Sequence, residues 1–186
     1  DAQSLGFDHI ALCMGAGKPT VLDIPNGLAR GVRTASDFLM ALQLTGAAKA
    51  DSLANMQLRL PVVVIGGGDS ACEEATYLTR FASKVTVVHR RSELRASKIM
   101  QDRAMANPKI EFLWNSTIDS LNGAESLTGV TIKNTVTGEL SEVELQGLFI
   151  AIGHKPNTEI FKDQLEMDDD GYLITKGKST KTNITG

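Results

Sequence analysis

Cysteine is almost missing from this chain: Cys13 and Cys72 are the only two in 186 residues, and they form no CxxC or CxxxxC pair. That spacing excludes a zinc site and a local redox disulfide, and both thiols are expected to be buried and unpaired. Net charge is also low. With 19 Lys and Arg against 22 Asp and Glu, interspersed to a net −3, there is no broad electrostatic footprint for nucleic acid or an anionic membrane. An anion site has to be local. No apolar run approaches the roughly 20 residues needed to span a bilayer, and no basic stretch leads into an apolar one at the amino terminus. A cytoplasmic location is therefore the default expectation. No metal is expected: "DDDG" at 168–171 lacks the spacing and terminal Glu of a calcium loop. A hydrophobic content of 42% is enough to build a buried core over a length between one and two ordinary domains.

The apolar segments organise the chain. "FDHIALCMGAGKP" reads as a short strand, Ile10 to Met14, ending in a Gly-rich turn, and "VLDIPNGLARGV" as an extended connection punctuated by Pro25 and glycines. Ser36 is expected to cap a helix "DFLMALQLTG" that Gly46 stops, and "ADSLANMQLR" is a weaker helical or irregular stretch. From Pro61 strands and helices alternate. Val62 to Ile65 is a buried strand and Asp69 to Phe81 a helix packing Ala71, Ala75, Leu78 and Phe81. Val85 to Val88 follows as a strand, "RASKIMQDRAMAN" as a helix and "IEFLWN" as a third strand, the dinucleotide-binding half of a doubly wound sheet. "TIDSLNG", "LTGVTIKNT" and "ELSEVEL" read as an antiparallel meander. The continuously apolar "GLFIAIG" is expected to return to the parallel sheet.

Gly66, Gly68 and Ala71 match GxGxxA directly after a predicted strand and at the opening of a predicted helix. The first glycine permits the tight turn, the second lets backbone approach a pyrophosphate, and the small third residue lets helix and strand pack closely. The phosphate charge then meets unpaired amides at the helix amino terminus. At the end of the second strand an NAD site usually has an acidic residue, whereas here stand His89, Arg90 and Arg91, with Arg95 four residues on. Guanidinium groups grip a phosphate bidentately and stay charged, so NADPH is favoured over NADH. The competing reading has these arginines solvate a strand end and pair with Glu93 or Asp102. Glu73 and Glu74 are accounted for by the helix dipole. "GAGKP" at 15–19 fails as a phosphate loop, because Leu12 and Pro19 stand where Gly and Ser or Thr are needed.

The segments "VVVIGGGDSACEEATYLTRFASKVTVVHRRSELRASKIMQDRAMANPKIEF" and "GLFIAIGHKPNTEIF" resemble the NADPH domain of low-molecular-weight thioredoxin reductases over about residues 60 to 186. The resemblance implies a domain inserted into an FAD-binding domain, hydride passing from NADPH to FAD, a CxxC disulfide reduced in turn, a thioredoxin-like partner, and a homodimeric parent. Carried over, it puts Gly66, Gly67, Gly68, Asp69, Ser70 and Ala71 along the pyrophosphate. His89, Arg90, Arg91 and Arg95 fall around the 2′-phosphate, with Ile152, Gly153 and His154 along the cofactor and no side chain acting as nucleophile. The family's CxxC is replaced by the cysteine-free "DSLANMQLRLP". Residues 1 to 60 instead resemble the small subunit of glutamate synthase and related flavoprotein reductases, through "FDHIALCMGAGKP", "IPNGLARGV" and "ASDFLMALQ".

The expected fold is α/β, a Rossmann-like parallel sheet with helices on both faces and an antiparallel meander. Residues 1–23 and 151–186 are expected as partial FAD-domain segments, and 24–150 as the NADPH domain with its Rossmann core at 61–150. No FAD-type GxGxxG precedes Asp1, and "TKTNITG" stops before the family's FAD-binding Gly-Asp, so FAD is expected in the full-length parent rather than on this chain alone. Three functions remain open: part of a thioredoxin-reductase-type enzyme, an electron-input unit without a redox disulfide, and a non-catalytic NADPH-binding module.

Overall fold

A computed structural model describes residues 4, 6, 11, 13, 15–47, 49, 51–52 and 60–184. The strand expected at Ile10 to Met14 and the stretch "ADSLANMQLR" lie largely outside them. The chain divides into two compact units, Thr20–Gly153 and Asp1–Pro19 with His154–Gly186. Its elements are β1 (Lys18–Pro19), β2 (Val32–Thr34), α1 (Ala35–Thr45), β3 (Val62–Gly66), α2 (Asp69–Leu78), β4 (Val85–Val88), α3 (Lys98–Met105), β5 (Ile110–Leu113), β6 (Ser116–Asn122), β7 (Gly129–Asn134), β8 (Leu140–Glu144), β9 (Gly147–Ala151) and β10 (His154–Lys155).

Three runs, the apolar "VVVIG" and "GLFIA" and the β-branched "VTVV" with its one buried threonine, Thr86, are buried on both faces, as parallel strands inside an α/β layer must be. They form the centre of a five-stranded parallel sheet in the order β2-β9-β3-β4-β5. The expected return of "GLFIAIG" to the parallel sheet is what the structure has, with Gly66 registered on Ala151. The "extended connection" was legible only as extended. Its end, Val32–Thr34, adds the edge strand beside β9.

The α/β class and the parallel sheet are as expected, but the two faces are covered differently. On one face Val62, Val64, Val85, Val87, Phe149 and Ala151 lie under Ala35 and Phe38 of α1 and Ala71, Ala75 and Leu78 of α2. Phe38 meets Phe149 edge-on at 5.1 Å between ring centroids. Helix α3 continues that layer, packing Ala104 with Cys72 of α2. The opposite face, Val63, Ile65, Val88, Leu148 and Ile150, is covered by Leu121, Val130 and Ile132 of the meander β6-β7-β8 instead of by helices. The physical reason is the meander's own apolar stripe. Burying each such aliphatic side chain is worth roughly 1.5–3 kcal/mol, and the bare sheet face is where that burial is available.

Helix boundaries shift for local reasons. Thr34, not Ser36, caps α1, and its hydroxyl accepts from the Asp37 amide at 3.3 Å. As the last residue of β2, Thr34 is still extended, which an N-cap requires. Gly46, at φ 62°, ends the helix as expected. Helix α2 stops at Leu78, after which Arg80 and Phe81 bond back three residues in turns, and Phe81 is exposed rather than core. Helix α3 begins only at Lys98, because the amides of Arg95 and Ala96 are committed to the Gly67 carbonyl.

In the other unit β1 pairs antiparallel with β10, and Met167 bridges Leu173. Cys72 is buried as expected, whereas Cys13 is exposed. Among the described residues no helix is long and apolar enough to cross a membrane.

Candidate functional site

The turn between β3 and α2 is built from three glycines with three different constraints. At Gly66, with φ 153°, an added Cβ would collide with the Ala151 carbonyl and with the Ala71 methyl, so the first and third motif positions form one close strand-to-helix contact. At Gly67 a Cβ would collide with the imidazole of His89. At Gly68 a Cβ would meet nothing within 4 Å. Gly68 is also the N-cap of α2 and offers no capping side chain. The first-turn amides of α2, among them those of Asp69, Ser70 and Ala71, thus face a side from which backbone is freely approached. An uncapped helix start of this kind attracts anions through both its N–H groups and its dipole. Ser70 is exposed in that turn.

The end of β4 supplies the cations. Arg90, Arg91 and Arg95 are all exposed. The ion pairs of the described residues are all made by lysines, and Asp102 is held by Lys98 at 2.7 Å. Pairing of the arginines with Glu93 or Asp102 is therefore not what this loop has. His89 differs from its neighbours, being only 6% exposed. Its ring sits over Gly67 and edge-on to Trp114 at 6.2 Å, with Nε2 2.9 Å from the Glu93 carbonyl. Burial lowers its pKa, opposed by hydrogen bonds to the Glu93 and Gly66 backbones and reinforced by Arg90 and Arg91, so the ring is neutral at pH 7. It serves as a wedge between the glycine turn and the arginine loop.

The two loops are also joined directly. The Gly67 carbonyl accepts from the amides of Arg95 at 2.7 Å and Ala96 at 3.1 Å. Asp69 Oδ1 accepts from the Ser97 amide at 2.7 Å and the Ser97 hydroxyl at 2.8 Å, and these bonds, the backbone one foremost, hold the Asp69 carboxyl below the ordinary carboxylate range. Gln101 Nε2 donates to the Ala96 carbonyl at 2.8 Å. Sequence reasoning missed Ser97 and Trp114. Ser97 had a signal, since a serine just before a helical run is a cap candidate.

Ile152 and Gly153 leave β9 at the sheet end where the glycine turn leaves β3, a consequence of the parallel register of Ala151 on Gly66. Gly153, at φ 99°, accepts from the Thr20 amide at 2.9 Å. His154 belongs to the other unit, where it pairs with Pro19. Helix α2 carries one further unusual group. Glu74 is 2% exposed, its Oε2 has no partner, and burial, with a smaller contribution from Glu73, pushes its pKa up to about 7.

The geometry thus presents an open helix start and three unpaired guanidinium groups on one bonded framework, an arrangement suited to a phosphorylated dinucleotide. Comparison with known proteins agrees with that class. The chain is 59% identical over 125 residues to a thioredoxin reductase of Streptomyces clavuligerus, covering 67% of this chain and 39% of that protein. It is 40% identical over 189 residues to mitochondrial thioredoxin reductase 1 of Arabidopsis thaliana, covering 100% of this chain and 49% of that one. The crystal structure of Lactococcus lactis thioredoxin reductase superposes with a TM-score of 0.69 at 38% identity, over 91% of this chain and 52% of that chain. The chain therefore spans half or less of the length of these curated relatives. The family model for pyridine nucleotide-disulphide oxidoreductases matches residues 1–186, and the chain belongs to that family.

Proposed function

We propose that this chain is the NADPH-binding portion of a flavin-dependent oxidoreductase of the thioredoxin reductase type. The observation that carries the reading is the trio Arg90, Arg91 and Arg95, exposed and without ion pairs, on a loop bonded to the Gly67 carbonyl. The residues fit the cofactor. Gly68 leaves open space where a Cβ would stand, and α2 has no side-chain cap, so the amides of Asp69, Ser70 and Ala71 are free to hold a pyrophosphate. The three guanidinium groups hold the 2′-phosphate, and Gly66, Gly67 and His89 fix the backbone that presents both. Ile152 and Gly153, in the same unit, complete the cofactor set. The chemistry supplied on binding is hydride donation, with FAD as acceptor in an enzyme of this type. The protein's part is to bind, orient and screen charge.

In this reading FAD is held by the longer parent enzyme, which works in the cytoplasm on a thioredoxin-like protein. A second reading rests on the cysteines. With only Cys13 and Cys72, the latter buried, the chain itself carries no redox pair, which favours an electron-input unit like the small subunit of glutamate synthase. Disulfide reduction assayed on the full-length parent separates the two.

The cofactor assignment is tested by titrating the chain with NADPH and NADH. NADPH should bind more tightly. Arg90→Ala and Arg91→Ala should each weaken NADPH by about 1.5–3 kcal/mol, the value of a hydrogen bond to a charged group, and NADH little. Equal affinity of the parent for both nucleotides removes the 2′-phosphate site.

A further inference from the structure

A carboxylate at the mouth of a phosphate site is electrostatically out of place. Asp69 is the first residue of α2, beside the amides proposed for the pyrophosphate, and it is ionised at neutral pH. Its Oδ1 is nevertheless fully engaged, accepting from the Ser97 amide at 2.7 Å and the Ser97 hydroxyl at 2.8 Å. Ser97 is the N-cap of α3, and its own side chain makes no capping bond to that helix. The cap of α3 is thus tied to the first residue of α2, 28 positions earlier. Between the two anchored ends, Arg95 and Ala96 hang from the Gly67 carbonyl, and His89 reaches the Glu93 carbonyl. The segment carrying Arg90, Arg91 and Arg95 is therefore pinned where it leaves the sheet, in its middle and at its end.

We infer that the Asp69 side chain is a positioning residue for NADPH over NADH: through Ser97 it holds the arginine loop in register with the glycine turn, and it is not itself a phosphate ligand. This inference rests on the NADPH reading above. The 2′-phosphate is the group that gains from a fixed arginine loop, while the pyrophosphate relies on backbone amides of α2 that an alanine at position 69 retains. Releasing the latch lowers the fraction of molecules with the loop in place, and apparent affinity falls by that fraction.

The experiment is titration of the full chain with NADPH and NADH for the parent, Asp69→Ala, Asp69→Asn, Ser97→Ala and Arg90→Ala, with amide hydrogen exchange at Arg95 and Ser97. If about one molecule in ten keeps the loop in place without the latch, Asp69→Ala raises the NADPH Kd about tenfold and leaves NADH within about twofold. Asp69→Asn, which keeps the acceptor oxygen, should restore the parent's NADPH-to-NADH ratio, and the Arg95 and Ser97 amides should exchange faster in Asp69→Ala than in the parent or Asp69→Asn. Ser97→Ala, which keeps the amide donor, should lie between. Equal loss of both nucleotides in Asp69→Ala, or no loss of either, overturns the positioning role while a parent preference abolished by Arg90→Ala leaves the NADPH reading standing. A parent with no preference overturns both together.

Discussion

Glu74 provides a sharp test of the packing described for α2. The residue is 2% exposed with its buried Oε2 unpartnered, and its pKa is raised from 4.5 to about 7. The unfolded chain releases this proton near 4.5 while the folded chain keeps it until about 7. Stability from this group is therefore fully present below pH 4.5 and is lost as pH rises through about 7. At about 1.4 kcal/mol per tenfold in proton affinity, the loss amounts to roughly 3 kcal/mol. Few neighbours blur the window. Strands β3, β4 and β9 carry no ionisable side chain, α1 offers only exposed Asp37, α3 only exposed Lys98, Asp102 and Arg103, and α2 itself exposed Glu73 and Asp69, the Tyr77 phenol, and the Cys72 thiol, which burial pushes up and away from the window. Glu74→Gln removes the proton equilibrium while keeping size. Urea unfolding of parent and variant at pH 4.5 and pH 8 should find the variant gaining on the parent by roughly 3 kcal/mol between the two pH values. Parallel pH dependences in the two proteins would refute the claim that this carboxyl is buried without a partner.

Two further substitutions probe the framework around the site. Gly67→Ala pushes a methyl into the His89 ring, so thermal unfolding should detect a destabilisation of about 1–3 kcal/mol, the range for overpacking. Adding His89→Ala to it should give back part of that loss rather than add to it, and strictly additive effects would mean the two groups do not meet. Thr34→Ala removes the oxygen that caps α1 and should lower stability by about 1 kcal/mol in urea titration, whereas Ser36→Ala, in the first turn but not the cap, should do less.

What the sequence makes legible here follows from what each kind of signal encodes. Continuous apolar runs announce strands that are buried on both faces, and β3, β4 and β9 lie where "VVVIG", "VTVV" and "GLFIA" put them. The same runs say nothing of what covers each face. Helices on both sides and a helix layer opposed by a meander bury the same strand residues, and only the pairing of Val63 and Ile65 with Val130 and Ile132 distinguishes them. The cap of α1 moved from Ser36 to Thr34 because a strand three residues long ends there, too short to be read from periodicity. Glu74 carried no signal at all, since a glutamate in the first turns of a helix is explained equally well by the dipole.

The glycine motif was legible for a deeper reason. Gly66 and Ala71 are required by the close strand-to-helix contact beside Ala151, which a sequence pattern encodes position by position. The polar side chains around it are different, because a side chain's partner depends on which distant segment folds beside it. "GGGDSA" and "HRRSELRAS" are consecutive only in space. Their joining through Gly67 with Arg95, Asp69 with Ser97, and the His89 ring seated over Gly67 turns two separate motifs into one framework. A motif reader assigns His89 and Asp69 to the ligand because they stand in the ligand's motif. In the folded chain His89 is buried and the exposed Asp69 commits Oδ1 to Ser97, whereas Arg90, Arg91 and Arg95 of the same loop make no ion pair among the described residues. Partnerless charge, rather than membership of a motif, is therefore the criterion that singles out these three side chains for the 2′-phosphate proposed above.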